Sequence, residues 1–241
     1  MLDQITVIAE QSRTFAEILR SGPLDAEVPG TPGWNLEELG WHMVGVQRWA
    51  TLVIQAGVAP TQEIQRPDGS PGDALDASSQ ALIAALNAAD PDTPCWNFTP
   101  TAPHVTSFWF RRQANEVAIH RWDAASAVSE DPPEIPAELA AQIIDEFVHV
   151  MMSRVIDREG VDVSTLASDV HVHCTDVAGE WTFEIIDGEV AVSNTHRKAA
   201  VAIRGRASDL AMFLYNRLGT DHVEIFGDVD ELEKWRPAFR A

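Results

Sequence analysis

Two cysteines in 241 residues, Cys95 and Cys174, are too few and too far apart to make a disulfide framework. They form no CxxC pair, and neither has a basic neighbour that would lower its pKa, so neither reads as an activated nucleophile. Free thiols in a reducing cytoplasm are the expected state. Basic residues are also scarce: 17 Lys and Arg stand against 37 Asp and Glu, for a formal net charge of −20 and a pI near 4.6. A surface this acidic repels nucleic acid and anionic membrane, and neither is expected as a partner. No apolar run reaches the roughly 18 residues of a membrane-spanning helix. The opening stretch, MLDQITVIAEQSRTFAEILR, lacks a basic leader followed by an apolar core, so no signal peptide is expected. The chain has no internal repeat and no low-complexity tract.

What is there is a globular composition, 45% hydrophobic and 22% charged, long enough for one large domain or two small ones. Residues 3–21 carry Ile5, Ile8, Phe15, Ile18 and Leu19 at roughly helical spacing. Asn35 with Glu38 three residues on has the form of a capping box, and it opens a helix over residues 36–55, with Gly57 near its end. Residues 73–89 read as a third helix. DPDTPCWNFTPTAPH is a long irregular connection, and residues 105–128 form a fourth helix. The proline-rich SEDPPEIP at 129–136 breaks the pattern. A domain boundary is therefore expected near it, with a helical bundle over residues 1–132 and an α+β domain over 133–241.

The second part begins with a helix over 137–156 and then changes character. DVHVHCTD and EWTFEII alternate as strands do. The Asp187-Gly188 pair before EVAVS is a two-residue hairpin signal. AAVAIRGR and HVEIFG supply further strands, and Ser208 is expected to cap a helix over 209–218 that stops at Gly219.

The chemistry concentrates in ANEVAIHRWDAA. Glu116 and His120 are one helical turn apart and project from one face. Val117, Ala124, Phe108 and Phe110 make the surroundings apolar, and a carboxylate turned into such surroundings needs a partner. On the second helix, His42 shares the apolar face of Leu39, Met43 and Val46. Helix bundles place metal ligands on facing helices in this way. Two imidazoles and a carboxylate suit Zn2+ or another divalent ion, and three protein ligands would leave a position open. A surface ion pair at 116/120 and a hydrogen-bonded core histidine at 42 are the competing readings. His171 and His173 face one way along a strand. An HxH pair can bind metal, but an exposed strand face explains it. His104, His149, His196 and His222 have no partner pattern.

TPGWNLEELGWHMVGVQRWA and RRQANEVAIHRWDAA, with TDVAGEW, AIRGRASDL and IFGD further on, resemble the mycothiol-dependent maleylpyruvate isomerase-like family over nearly the whole chain. The resemblance implies an α+β protein: an N-terminal DinB-like four-helix bundle, then a small α/β domain with a likeness to sterol carrier proteins. It implies His42, Glu116 and His120 as metal ligands and mycothiol as thiol cosubstrate. The activity implied is thiol-dependent cis–trans isomerisation or thiol transfer to a small electrophile. A non-catalytic protein that binds a metal and a small ligand is the alternative on the same scaffold. Many relatives have a His just before the Glu, where this chain has Asn115.

Three further residues are singled out. Asp123, one turn past His120, is placed to orient an imidazole or to pair with a helix-two donor or an Arg. Arg112, four residues before Glu116, can pair with it. Arg217 is expected on one helical face with Leu210, Phe213 and Leu214. There it would snorkel, pair with an acid or bind a substrate carboxylate, and it is the match for the functional Arg that the resemblance implies in the second domain.

Overall fold

The computed structural model describes residues 2–99 and 103–239. The chain divides into two compact units, Met1–Pro133 and Glu134–Ala241. Among the described residues, no helix is long and apolar enough to cross a membrane.

Helices α1 (Gln4–Ser21), α2 (Leu36–Ala56), α3 (Pro71–Ala88) and α4 (Ser107–Ser126) make up the first unit. Their ends are written in local chemistry. The Asp3 carboxylate accepts from the Ile5 and Thr6 amides at the start of α1. At α2 the capping box forms in both directions: Glu38 N donates to Asn35 Oδ1 and Asn35 N to Glu38 Oε2, each at 2.9 Å. Gly57, with φ of 72°, closes α2 in the left-handed conformation that a side chain disfavours. Ser70 caps α3, with Pro71 at the first helical position. Helix α4 is shorter at both ends than its pattern predicts. The irregular connection before it includes residues 100–102, which lie outside the described residues.

The helices bury one stripe each. Phe15, Leu36, Leu39, Met43, Leu75 and Val117 are fully buried in one cluster, and Ile8, Ala50, Val53, Leu82 and Trp109 in another. Burying each large side chain stabilises by about 1.5–3 kcal/mol. Gly40 lets α2 approach closely: a Cβ there would meet Leu19 Cδ2 at 2.8 Å and Pro71 Cβ at 3.0 Å. Between the clusters, fully buried Gln47 donates to Ser12 Oγ and accepts from Ser78 Oγ, both at 2.9 Å, joining three helices.

The second unit opens with α5 (Ala137–Glu146), which widens into a π-turn over Phe147–Met151 and continues as α6 (Met152–Glu159). Among the described residues, one five-stranded sheet follows, in the order β3-β2-β1-β4-β5. Its strands are β1 (Val170–Cys174), β2 (Glu180–Ile186), β3 (Glu189–Ser193), β4 (Val201–Gly205) and β5 (Glu224–Gly227). Only the central β1–β4 pair is parallel. Asp187 and Gly188, both at positive φ (53° and 84°), form the two-residue turn between β2 and β3. Val170, Val172, Phe183 and Ile203 turn to the buried face of the sheet. An aromatic cluster of Phe147, Phe183, Phe213, Trp235 and Phe239 completes that core.

The helix expected over 209–218 is α7, Ala207–Leu214. It starts earlier because Ser208 is not its cap; the Ser208 hydroxyl accepts from Ile135 N at 3.0 Å instead. It stops earlier because Asn216, with φ of 60°, takes the left-handed position. The Arg217 amide then reaches back to Met212 O at 2.7 Å, and Asn216 N to Phe213 O at 2.9 Å, as in a Schellman-type stop. Arg217 therefore sits in the turn after α7, not on a helical face with Leu210 and Phe213. A last helix, α8 (Val229–Trp235), is capped by Asp228 and is too short to leave a periodic signal in the sequence.

Candidate metal centre

The first turns of α2 and the middle of α4 carry the site. His42 stands one residue before fully buried Met43, at the rim of the apolar stripe, so its side chain keeps 33% of its exposure. Glu116 and His120 project from adjacent turns of α4 and keep 14% and 12%. Glu116 Oε1 lies 3.8 Å from His42 Nε2 and 3.6 Å from His120 Nε2. One donor atom from each of the three residues falls within 4.8 Å of the others. The two imidazole rings meet edge to face, with centroids 5.0 Å apart. The three residues that spacing selected therefore converge.

Each donor is held from behind. His120 Nδ1 is 3.0 Å from Oδ2 of Asp123, whose side chain is fully buried. A buried carboxylate accepts the hydrogen bond from Nδ1–H, which holds the proton on Nδ1 and leaves the Nε2 lone pair aimed at Glu116 and His42. Asp123 thus orients an imidazole. Arg112 pairs with Glu116 Oε2, so the carboxylate divides its oxygens, one to the guanidinium and one to the imidazoles. The Trp34 ring lies 4.9 Å from His42 and walls that side. Burial first, then repulsion by His120 and Arg112, pushes the His42 pKa down from 6.5 to about 4, while Asp123 pulls the other way. At neutral pH His42 is therefore an uncharged imidazole, the form that ligates a metal.

This donor set fits a divalent transition ion. Nitrogen and carboxylate donors in a three-ligand set match catalytic zinc sites, which keep a further position for water or substrate. Asn115, beside Glu116, is fully buried within α4.

Other singled-out residues lie elsewhere. The Arg217 guanidinium donates to Tyr215 O at 2.7 Å and lies 5.9 Å from the Tyr215 ring. Both cysteines are unpaired and buried, and burial with the neighbouring Asp176 pushes the Cys174 thiol up to about 12. The reading of both as inert agrees with this. His171 and His173 do share a face of β1, and they meet Glu180 and His196. The sequence reading missed both partners. Glu180 was within its reach, since a hairpin pairing of HVHC with EWTF sets it opposite His173, but nothing local marks His196.

The match to known families is decisive. Residues 5–125 match the model of the mycothiol maleylpyruvate isomerase N-terminal domain, and residues 138–234 match that family's C-terminal domain. The chain belongs to the mycothiol-dependent maleylpyruvate isomerase family. His42, Glu116 and His120 all fall within the matched N-terminal domain of the family. Two solved structures share the fold. The crystal structure of the mycothiol-dependent maleylpyruvate isomerase is 14% identical, with a TM-score of 0.60 over 92% of this chain and 91% of that one. A histidine-to-alanine mutant of that enzyme is 11% identical, with a TM-score of 0.59 at the same coverage. No curated protein matches the sequence.

Proposed function

We propose that this family member is a metal-dependent enzyme that uses mycothiol, or a thiol like it, to attack a small electrophile. His42, Glu116 and His120 would hold the metal, Zn2+ or a similar divalent ion. When bound, such an ion favours the thiolate over the thiol at neutral pH. What carries this reading is the convergence of His42 Nε2, Glu116 Oε1 and His120 Nε2 on one point, with Asp123 behind the second imidazole.

The protein's own groups then do four things. Asp123 keeps the Nδ1 proton of His120 in place. Arg112 holds one oxygen of Glu116 and offsets its charge. Trp34, 37% exposed, shields the rim of the site from water. Arg217, in the second unit and held by the Tyr215 carbonyl, is proposed to bind a carboxylate-bearing ligand. In an isomerase, sulfur adds to one carbon of a cis double bond and the other carbon takes a proton or holds its charge as an enolate. Rotation about the resulting single bond and loss of the thiol return the trans isomer. With maleylpyruvate, the substrate named for the related crystal structure, the product would be fumarylpyruvate. In a transferase the carbon–sulfur bond persists. The two unpaired cysteines suit a reducing cytoplasm, where a thiol cosubstrate also stays reduced.

The test is metal content and thiol-dependent turnover, measured on wild type and on His42→Ala. The enzyme reading expects both to fall together, with maleylpyruvate isomerisation tried first and conjugation of small electrophiles second. Retention of ligand binding with no turnover in either form would replace it with the non-catalytic binding reading.

A further inference from the structure

The sheet domain gathers a second set of metal-binding side chains. His171 and His173 alternate with Val170, Val172 and Cys174 along β1, so both imidazoles leave the sheet on the face opposite the aromatic core. The antiparallel register sets Glu180 of β2 directly across from His173. The segment after β3 then brings a third imidazole. His196 Nδ1 lies 3.0 Å from Glu180 Oε2, His173 Nδ1 is 2.6 Å from Oε1, and His171 Nε2 is 3.9 Å from Oε2. One donor atom from each of the four residues falls within 4.8 Å of all the others.

A plain set of ion pairs accounts for only part of this. Glu180 accepts from His173 and His196, but His171 lies beyond hydrogen-bond reach at 3.9 Å. His171 is 6% exposed, and its Nε2 has no hydrogen-bond partner among the described residues. Buried polar atoms are nearly always satisfied, so an orphaned imidazole nitrogen turned toward three other metal-ligating groups calls for an occupant. The segment that delivers His196 is itself held on either side. Asn194 donates to Asp145 at 3.1 Å and contacts His149 at 2.9 Å, while Arg197 pairs with Glu184 and Asp169.

We propose that His171, His173, Glu180 and His196 form a second metal site that binds Zn2+ or a similar borderline divalent ion. Three imidazoles and a carboxylate select such ions over Ca2+ and Mg2+, which take oxygen ligands. Four protein ligands close a tetrahedral shell, so the ion acts structurally and not as a reaction centre. It pins the segment carrying His196 across β1 and β2. Ligand atoms around such an ion stand about 3.3 Å apart, as metal–nitrogen bonds of about 2.0–2.1 Å require. His173 and Glu180 must therefore part slightly and His171 close in. His196, with a side chain 77% exposed, is the ligand with room to adjust.

The test uses the full chain, stripped with chelator and reloaded with Zn2+. Wild type is expected to bind one equivalent more than His196→Ala and one more than His173→Asn. His196→Cys, which keeps a zinc ligand at that position, is expected to retain the equivalent. Zn2+ is also expected to slow amide exchange in β1, β2 and residues 194–200 of wild type, but not of His196→Ala. Because His196 is exposed, that variant should fold, and its circular dichroism checks this. Equal zinc counts in wild type and His196→Ala, or amide exchange in this region that Zn2+ leaves unchanged, would overturn the proposal.

Discussion

His42, Glu116 and His120 project from two helices, whereas His171, His173 and Glu180 project from two paired strands and a loop adds His196. On α4 the i, i+4 spacing yields two donors on one face, and a third must come from the facing helix. Among the described residues, no fourth such donor joins these three. The residue one turn further on, Asp123, falls behind His120 and braces it instead of joining it. On a sheet, the i, i+2 spacing and one cross-strand partner already give three donors on one face. A single loop residue then completes the shell. On these proposed assignments the same residue types make an open site on helices and a closed one on the sheet, and openness is what separates chemistry from structural support.

The largest effect that sharpens this contrast is loss of a bundle ligand. His42→Ala and His120→Ala should each abolish metal binding in the bundle and reduce thiol-dependent turnover by more than ~100-fold, beyond the roughly 10–100-fold typical of an outer partner. Metal analysis with steady-state kinetics checks this; turnover that survives either change would break the assignment. Asp123→Asn should cost about 10–100-fold in metal affinity, because the amide cannot serve as the same charged acceptor for His120 Nδ1. Competition titration against a chelator reads it directly.

A smaller effect isolates the sheet cluster. In a His42→Ala background, Zn2+ at about 100 times its Kd should raise unfolding free energy by about 2.7 kcal/mol. The gain should vanish when His196→Ala is added, as denaturant melts would register.

The smallest effect is a pH dependence of the metal-free protein. The folded pKa of His42, about 4, lies below its ordinary 6.5, with burial as the main cause, and burial lowers His171 in the same direction. Between those values the unfolded chain binds more protons than the folded one, so stability is full above about 6.5 and declines as pH falls toward 4. His42→Asn should flatten part of that decline. Denaturant melts across pH 4–7, on protein freed of metal, would show whether the wild-type and variant curves converge at the acid end. Parallel curves would contradict the shift.

Much of the bundle was legible because helices are local objects. Asn35 and Glu38 announce the start of α2 three residues apart, and Glu116 and His120 announce a shared face four residues apart. The apolar stripe of Leu39 and Met43 set His42 at its rim. The alternation of β1 and the Asp187-Gly188 turn were legible for the same reason. The end of α7 was not: Gly219 looked like the stop, but Asn216 took the left-handed position first and moved Arg217 into a turn.

Sequence alone determined the helices of the bundle, the alternating strands and the shared face of Glu116 and His120, since hydrogen bonding and facing within a few residues set all of these. Tertiary structure alone decided that His196 reaches Glu180, sixteen residues away. Strand register and loop closure bring distant side chains together, and no short-range pattern in the chain encodes either of them.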